Sequence, residues 1–420
     1  MTPSAPASRP DHSSEEGLLR QPAVRSLLAA RLVSQIGTSV HFVAQSWFIY
    51  ELTHSGTILG LASVMSLLGP ALLGGIGGHP TDRFRPRRVL LFTQIVLGGI
   101  AGIEGLLVQL DLINTAGLLL CTAALSVVAT FALPAWQVLL TEMSGEGGLS
   151  RLTALNTSAM DIGLVVGSAL AAPVIGVIGV GGAFLLNASS YAFAVAMLAQ
   201  SRQPRQPKPA INPSVPTTMR HGLAGVLKNR DLLTVMLLAL VLSGAGASLP
   251  PLLLILTAHT GGASQYGLFL ALLSAGSLGG TVLTWHARVG KRAVFAYSSA
   301  LGICLTALGF AWSPWLMAGL LLPIGALLLA LRANIVTLVQ LQTPVGLRGR
   351  VVSALQAALA ASQIAATVGL TSLSDVTGAR IAIALSGTGL LLSVAAIIIT
   401  TFRRDLGYLA GTPQHGIDIS

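Results

Sequence analysis

Charge is what this sequence lacks most. Only 9% of its 420 residues are Asp, Glu, Lys or Arg, where a soluble protein carries about 25%. So little charge excludes a globular surface covered by polar groups. With 53% of residues hydrophobic, lipid becomes the expected solvent. Cysteine is almost missing. Cys121 and Cys304 both fall inside apolar runs, which excludes a disulfide framework and any cysteine-based metal spacing. A G-x-x-x-x-G-K-[ST] phosphate loop is missing too, which argues against ATP hydrolysis within the chain. Neither H-E-x-x-H nor G-x-S-x-G occurs, and no carboxylate pair is spaced for acid–base work, so the sequence does not read as an enzyme. No metal or cofactor is expected. The stretch up to about Arg25 is polar, without the apolar core of a cleavable signal peptide, so the first helix is expected to serve as the insertion signal.

What the chain does hold is apolar runs. A bilayer core about 30 Å thick needs roughly 20 apolar residues per helix. Runs of that kind predict helices at 26–50, 56–79, 88–110, 113–137, 152–177 and 179–200. After a break they resume at 231–257, 263–286, 292–312, 314–340, 350–373 and 378–402. The fold class this predicts is an all-α polytopic membrane protein with twelve transmembrane helices. Glycine is abundant, at 47 residues. The pairs Gly98/Gly102, Gly163/Gly167 and Gly276/Gly280 are four apart, the spacing that lets membrane helices pack closely.

The net charge of +10 does not point to nucleic acid, because the basic residues cluster in short loops between apolar runs. Of 24 Lys and Arg, 21 fall on one side of the predicted topology, and Arg380 alone falls on the other. Arg31 and Arg332 lie inside helices. Such asymmetry places both termini in the cytoplasm and requires an even number of helices. The break at 201–229 holds Pro204, Pro207, Pro209, Pro213 and Pro216, a density that favours an extended linker. The expected organisation is an N-tail 1–25, a six-helix half 26–200, the linker 201–229, a second six-helix half 230–402 and a C-tail 403–420. The halves show weak likeness. Asp82–Arg88 matches Ala287–Arg292, and Ala154-Leu155-Asn156 matches Ala354-Leu355-Gln356. Duplicated halves are typical of transporters that bind substrate near the bilayer midplane.

Gly77-Gly78-His79-Pro80-Thr81-Asp82-Arg83, running on to Arg87-Arg88, resembles the cytoplasmic loop motif of the major facilitator superfamily. His79-Pro80 stands where the motif usually has a small or aliphatic pair. Tyr50-Glu51-Leu52-Thr53, Phe131-Ala132-Leu133-Pro134-Ala135, Ala154-Leu155-Asn156 and Gly163…Gly167 are similar to the branch that includes the enterobactin exporter and macrolide-efflux-type proteins. The resemblance implies the major facilitator fold, with two six-helix pseudo-repeats, and secondary active transport by alternating access. It further implies a small organic substrate, a drug, macrolide or siderophore-like molecule. Protons are the expected coupling ion, the bilayer the expected environment and a monomer the expected state. It also implies a cytoplasmic gate built from Gly78, Asp82, Arg83, Arg87 and Arg88, with Glu142 as partner of Arg83. Uptake of a metabolite, a non-transporting sensor and a membrane enzyme are the alternatives.

Charges inside helices are functional candidates by default. Burial disfavours the charged form of a carboxylate, so such a group can take up and release a proton near working pH. Asp161 is the first proton-coupling candidate, Glu104 the second, and His41 a third because histidine titrates near neutrality. A fixed ion pair or hydrogen bond is the plain alternative for each. Arg31, Ser34, Thr38, His41, Gln45 and Phe48 recur at steps of three and four, on one helix face. With Arg332, Asn334, Gln356 and Gln363 they are the expected substrate-cavity residues, although interhelical hydrogen bonding would give the same pattern. Pro250-Pro251 is expected to bend its helix.

Overall fold

The computed structural model describes residues 21–73, 85–144, 148–200, 230–258, 260–286, 290–343 and 348–410. Among the described residues every regular element is a helix. In chain order α1 is Pro22–Thr53, α2 Gly56–Leu73, α3 Pro86–Gln109 and α4 Thr115–Ser144. A continuous helical stretch Leu149–Gln200 follows, broken at Gly179 (φ 72°, ψ 177°) into α5 (149–178) and α6 (180–200). Then come α7 Arg230–Ala258, α8 Gly262–His286, α9 Lys291–Phe310, α10 Pro314–Gln342, α11 Arg348–Thr377 and α12 Ala379–Ala410. Ten of the continuous helices are long and apolar enough to cross a bilayer. One of these is the 52-residue stretch, about 78 Å at 1.5 Å per residue, which crosses twice because of its break. Gly262–His286 lies outside that set, yet its 25 residues still span roughly 37 Å. The twelve predicted spans are thus present. Helix α4 runs several residues past the predicted end at 137, and α12 past 402. The linker 201–229 lies outside the described residues.

Local chemistry sets the ends. Pro22, Pro86 and Pro314 occupy the first helical turn, where a missing N–H costs nothing. His54 closes α1 in the left-handed region (φ 47°), its N–H donating to Tyr50 O at 2.7 Å. Asn114 Oδ1 accepts from Gly117 N–H at 2.9 Å, satisfying a free donor at the start of α4. The paired prolines Pro250 and Pro251 sit within one uninterrupted α7.

Large apolar side chains point outward along most helices, among them Leu120, Val177, Leu392 and Trp315. That is the surface a bilayer requires. The chain divides into two compact units. The first holds α1–α6 together with the segment Leu253–Ala275; the second holds α7 up to Leu252, α8 from Gly276, and α9–α12. Within the first unit a buried core of Leu27, Leu90, Trp136, Leu139, Leu152 and Leu198 ties five helices together. In that unit, too, Tyr266 of the extra segment is fully buried. A side chain at Gly267 would meet the Ser168 carbonyl of α5 at 2.9 Å.

Glycine seams show the duplication more clearly than the sequence does. In the first unit α5 meets α1 at Gly163 and Gly167, α2 meets α4 at Gly69, and α3 meets α6 at Gly98 and Gly105. In the second, α7 meets α11 at Gly244, α8 meets α10 at Gly276 and Gly280, and α9 meets α12 at Gly302 and Gly309. Adding six to each helix number of the first set gives the second. With no hydrophobic drive between helices in lipid, close van der Waals packing supplies the adhesion, and it needs small residues.

Candidate functional site

Glu104 is the centre of the polar interior of the first unit. It lies on α3 with no exposed surface. Gln45 Nε2 of α1 donates to Glu104 Oε1 at 2.7 Å. His41, one turn earlier on α1 and 4% exposed, places Nε2 3.4 Å from Glu104 Oε2. That is ion-pair distance but not hydrogen-bond geometry, and neither His41 ring nitrogen makes a hydrogen bond. Phe184 of α6 packs on the imidazole, with centroids 4.3 Å apart and planes 32° apart. Three helices therefore bring together two groups that the sequence offers separately. Gln45 was marked by its place on the polar stripe of α1, whereas Phe184 as the imidazole's support has no signal in the sequence. An unpaired carboxylate here would be costly. The arrangement supplies one hydrogen-bond donor, the Gln45 amide, and an imidazole at ion-pair distance.

Asp161 has no such company. It is partly exposed on α5 and makes no hydrogen bond or ion pair among the described residues.

Further along the α1 stripe, Arg31 lies over the Trp136 ring, 5.1 Å from its centroid, with Nη2 2.9 Å from Met160 Sδ. Arg31 Nε, Trp136 Nε1 and Asn156 Oδ1 are all buried without hydrogen-bond partners. Ser34 is buried, its carbonyl accepting from Thr38 Oγ1 at 2.8 Å. Thr38 Oγ1 also lies 3.1 Å from Tyr191 Oη. Phe48 is partly buried. Most of the stripe is thus engaged by neighbouring helices of its own unit.

The second unit carries a cavity of about 280 Å³ among α7, α10 and α11. Its polar lining is Arg332, Gln356, Gln363 and Ser243. Gln363 Nε2 donates to Ser243 Oγ at 2.7 Å. Asn334 does not line it; its Nδ2 donates to Ala330 O at 2.9 Å, back along α10.

The expected cytoplasmic gate is only partly described. Gly78, Asp82 and Arg83 lie outside the described residues. Arg87 turns toward the end of α6, its Nε donating to Leu198 O at 2.9 Å and its Nη2 to Ala199 O. This caps the carbonyls left free at that helix end. Arg88 is exposed and lines the rim of an apolar groove of about 570 Å³ between α3 and α4. Glu142 sits in the last turn of α4, partly buried.

In the second unit Arg380 donates through Nη1 to Ala311 O at 2.7 Å. It also lies 5.0 Å from the centroid of the exposed Trp312. Arg380, which the charge pattern of the sequence sets apart from the other basic residues, is therefore a helix cap.

A sequence profile described as transmembrane secretion effector, of the class abbreviated MFS, matches residues 14–406. The chain belongs to this family of the major facilitator superfamily. The MFS transporter shares its fold with solved structures of low sequence identity. A bacterial homologue of the human lysosomal transporter Spinster is 14% identical, with TM-score 0.65, covering 94% of this chain and 96% of that one. The nucleoside transporter NupG is 12% identical, with TM-score 0.72, over 90% and 98%. The xylose transporter XylE from E. coli is 13% identical, with TM-score 0.66, over 89% and 94%. Comparison with curated protein sequences gives no match. The MFS transporter is thus a multi-pass membrane protein that moves a small molecule by secondary transport, and not an enzyme.

Proposed function

We propose that this transporter exports a small organic molecule across the inner (plasma) membrane in exchange for protons, by alternating access with both termini cytoplasmic. The observation that carries this reading is the Glu104 site, a fully buried carboxylate 2.7 Å from Gln45 and 3.4 Å from His41. The family description, a secretion effector, favours export over uptake. The basic loops of the sequence favour the orientation.

The pair holds one exchangeable proton. On Glu104 it leaves a neutral carboxyl beside a neutral imidazole. On His41 Nε2 it makes an imidazolium–carboxylate pair. Both states carry no net charge, so both are tolerable in the membrane interior. Removal of that proton leaves one carboxylate held by Gln45 alone. The cost of that buried charge biases the helices toward an arrangement that lets a proton return. Substrate release and proton uptake are linked if the two arrangements expose opposite sides of the membrane. Phe184, packed on the imidazole, restrains the ring beside the carboxylate.

The test is dye accumulation in bacteria expressing the chain, using fluorescein and a rhodamine methyl ester as probes. Lower accumulation of a dye that returns to the control level with a protonophore is the expected result. Glu104→Gln is expected to abolish that net export while dye exchange across vesicles without a gradient continues. Full export in Glu104→Gln, or export indifferent to the protonophore, would reject the assignment.

A further inference from the structure

The cavity of the second unit has an electrostatic character that the neutral polar stripes conceal. Of the residues lining it, Arg332 is the only charged one, and none is acidic. Arg332 stands ten residues before the end of α10 at Gln342, about 15 Å along the axis, so it is well inside the apolar span. Its side chain makes no hydrogen bond or ion pair among the described residues. A guanidinium at that depth needs water or an anion to face it. Arg332 is exposed, so water reaches it, and the groups around it suit an anion that displaces that water. The Gln356 amide is exposed beside it, and Gln363 is held by Ser243. Leu242, Leu328 and Leu359 form apolar walls.

An independent observation comes from the first unit. Arg31 also lies inside the span without a carboxylate, and its Nε and the neighbouring Trp136 Nε1 are buried donors with nothing to donate to. Asp161 is one residue from Met160, which touches Arg31, yet it makes no ion pair with it. Glu104 is already matched by His41 and Gln45. Both arginines inside the spans are therefore left without a counter-charge among the described residues.

We infer that the substrate is an amphipathic organic anion, whose carboxylate, sulfonate or phosphate oxygens meet Arg332 while its apolar part lies on the leucine wall. This rests on the reading of the chain as a small-molecule transporter and does not depend on the coupling ion. Arg suits the task because its planar fork donates two hydrogen bonds to one oxyanion. At about 280 Å³ the cavity takes the charged head and an adjoining ring or short chain.

Equilibrium binding separates this inference from proton coupling, because no gradient is present. The full chain in lipid nanodiscs is titrated with fluorescein, an anion, and with a rhodamine methyl ester, a cation on the same ring system. Fluorescence polarisation is read against empty nanodiscs. Fluorescein is expected to bind at least tenfold tighter. Arg332→Gln is expected to weaken it by about tenfold or more, the effect of losing a charged hydrogen bond, without changing the rhodamine. Arg332→Lys is expected to restore part of the loss, which separates charge recognition from misfolding. Equal or tighter rhodamine binding, binding of neither dye, or unchanged fluorescein affinity in Arg332→Gln overturns the inference. A failure of Glu104→Gln to uncouple export would leave it standing.

Discussion

The seam between α1 and α5 admits a quantitative test. A Cβ at Gly167 would lie 2.5 Å from the Ile36 carbonyl oxygen and 2.6 Å from Ser39 Cβ, whereas ordinary contact begins at 3.4 Å. Relief of the first clash needs 3.4 − 2.5 = 0.9 Å of separation. The obstacle is the backbone of a rigid helix, so no rotamer change supplies it. Overpacking of this kind costs about 1–3 kcal/mol. A full replacement by alanine offsets part of that, since alanine gains up to about 1 kcal/mol of helix propensity over glycine. Gly176, on the same helix, has open space where a Cβ would go, so it keeps the propensity gain alone. Apparent unfolding temperatures in one detergent should therefore move apart. Gly167→Ala should lower the midpoint by about 1 °C or more, at roughly 1 °C per kcal/mol for a chain of 420 residues, while Gly176→Ala holds or raises it. Equal shifts in the two variants, or stabilisation by Gly167→Ala, would refute close packing at this seam.

Two further outcomes follow from the polar contacts. Arg380→Gln removes the cap on Ala311 and the contact with Trp312. It should lower stability by about 1–2 kcal/mol, read as a drop in the same unfolding midpoint, and leave dye binding to the second unit unchanged. Unchanged stability would mean that the arginine is merely solvated. His41→Gln retains a polar side chain beside Glu104 but cannot hold the second proton position. Protonophore-sensitive export should fall by about tenfold or more, the scale of one charged hydrogen bond, with gradient-free exchange preserved. Full export in that variant would remove His41 from the proton site.

Hydropathy made the architecture legible. Twelve apolar runs, a gap at residue 178 and a proline-dense break all sit on single stretches of sequence, where period and length can be read directly. The structure puts its break one residue on, at Gly179. The glycines spaced by four were legible for the same reason, and Gly98, Gly102, Gly163, Gly167, Gly276 and Gly280 all lie against a partner helix. The site was legible only in parts. His41 and Glu104 each carried the mark of an ionisable group in an apolar run. Their meeting depends on how α1 crosses α3, which no periodicity within either helix encodes. Asp161 bore the same mark and is not brought to a partner. Arg380 looked like an exception to the charge bias. Its bond to a helix-end carbonyl gives the reason, and that reason lies in a turn 69 residues earlier in the chain.

The segment Leu253–Ala275 has a consequence for how the protein is made. It is packed with the first six helices, burying Tyr266 completely, yet it is synthesised after them. The first unit cannot acquire all its native contacts when α6 ends at Gln200. It must wait for Ala275, 275 − 200 = 75 residues later, which at about 5–20 residues per second is some 4–15 seconds of translation. During that interval the slot for Tyr266 stands open to lipid or to another chain. An N-terminal half expressed alone would keep that slot open permanently.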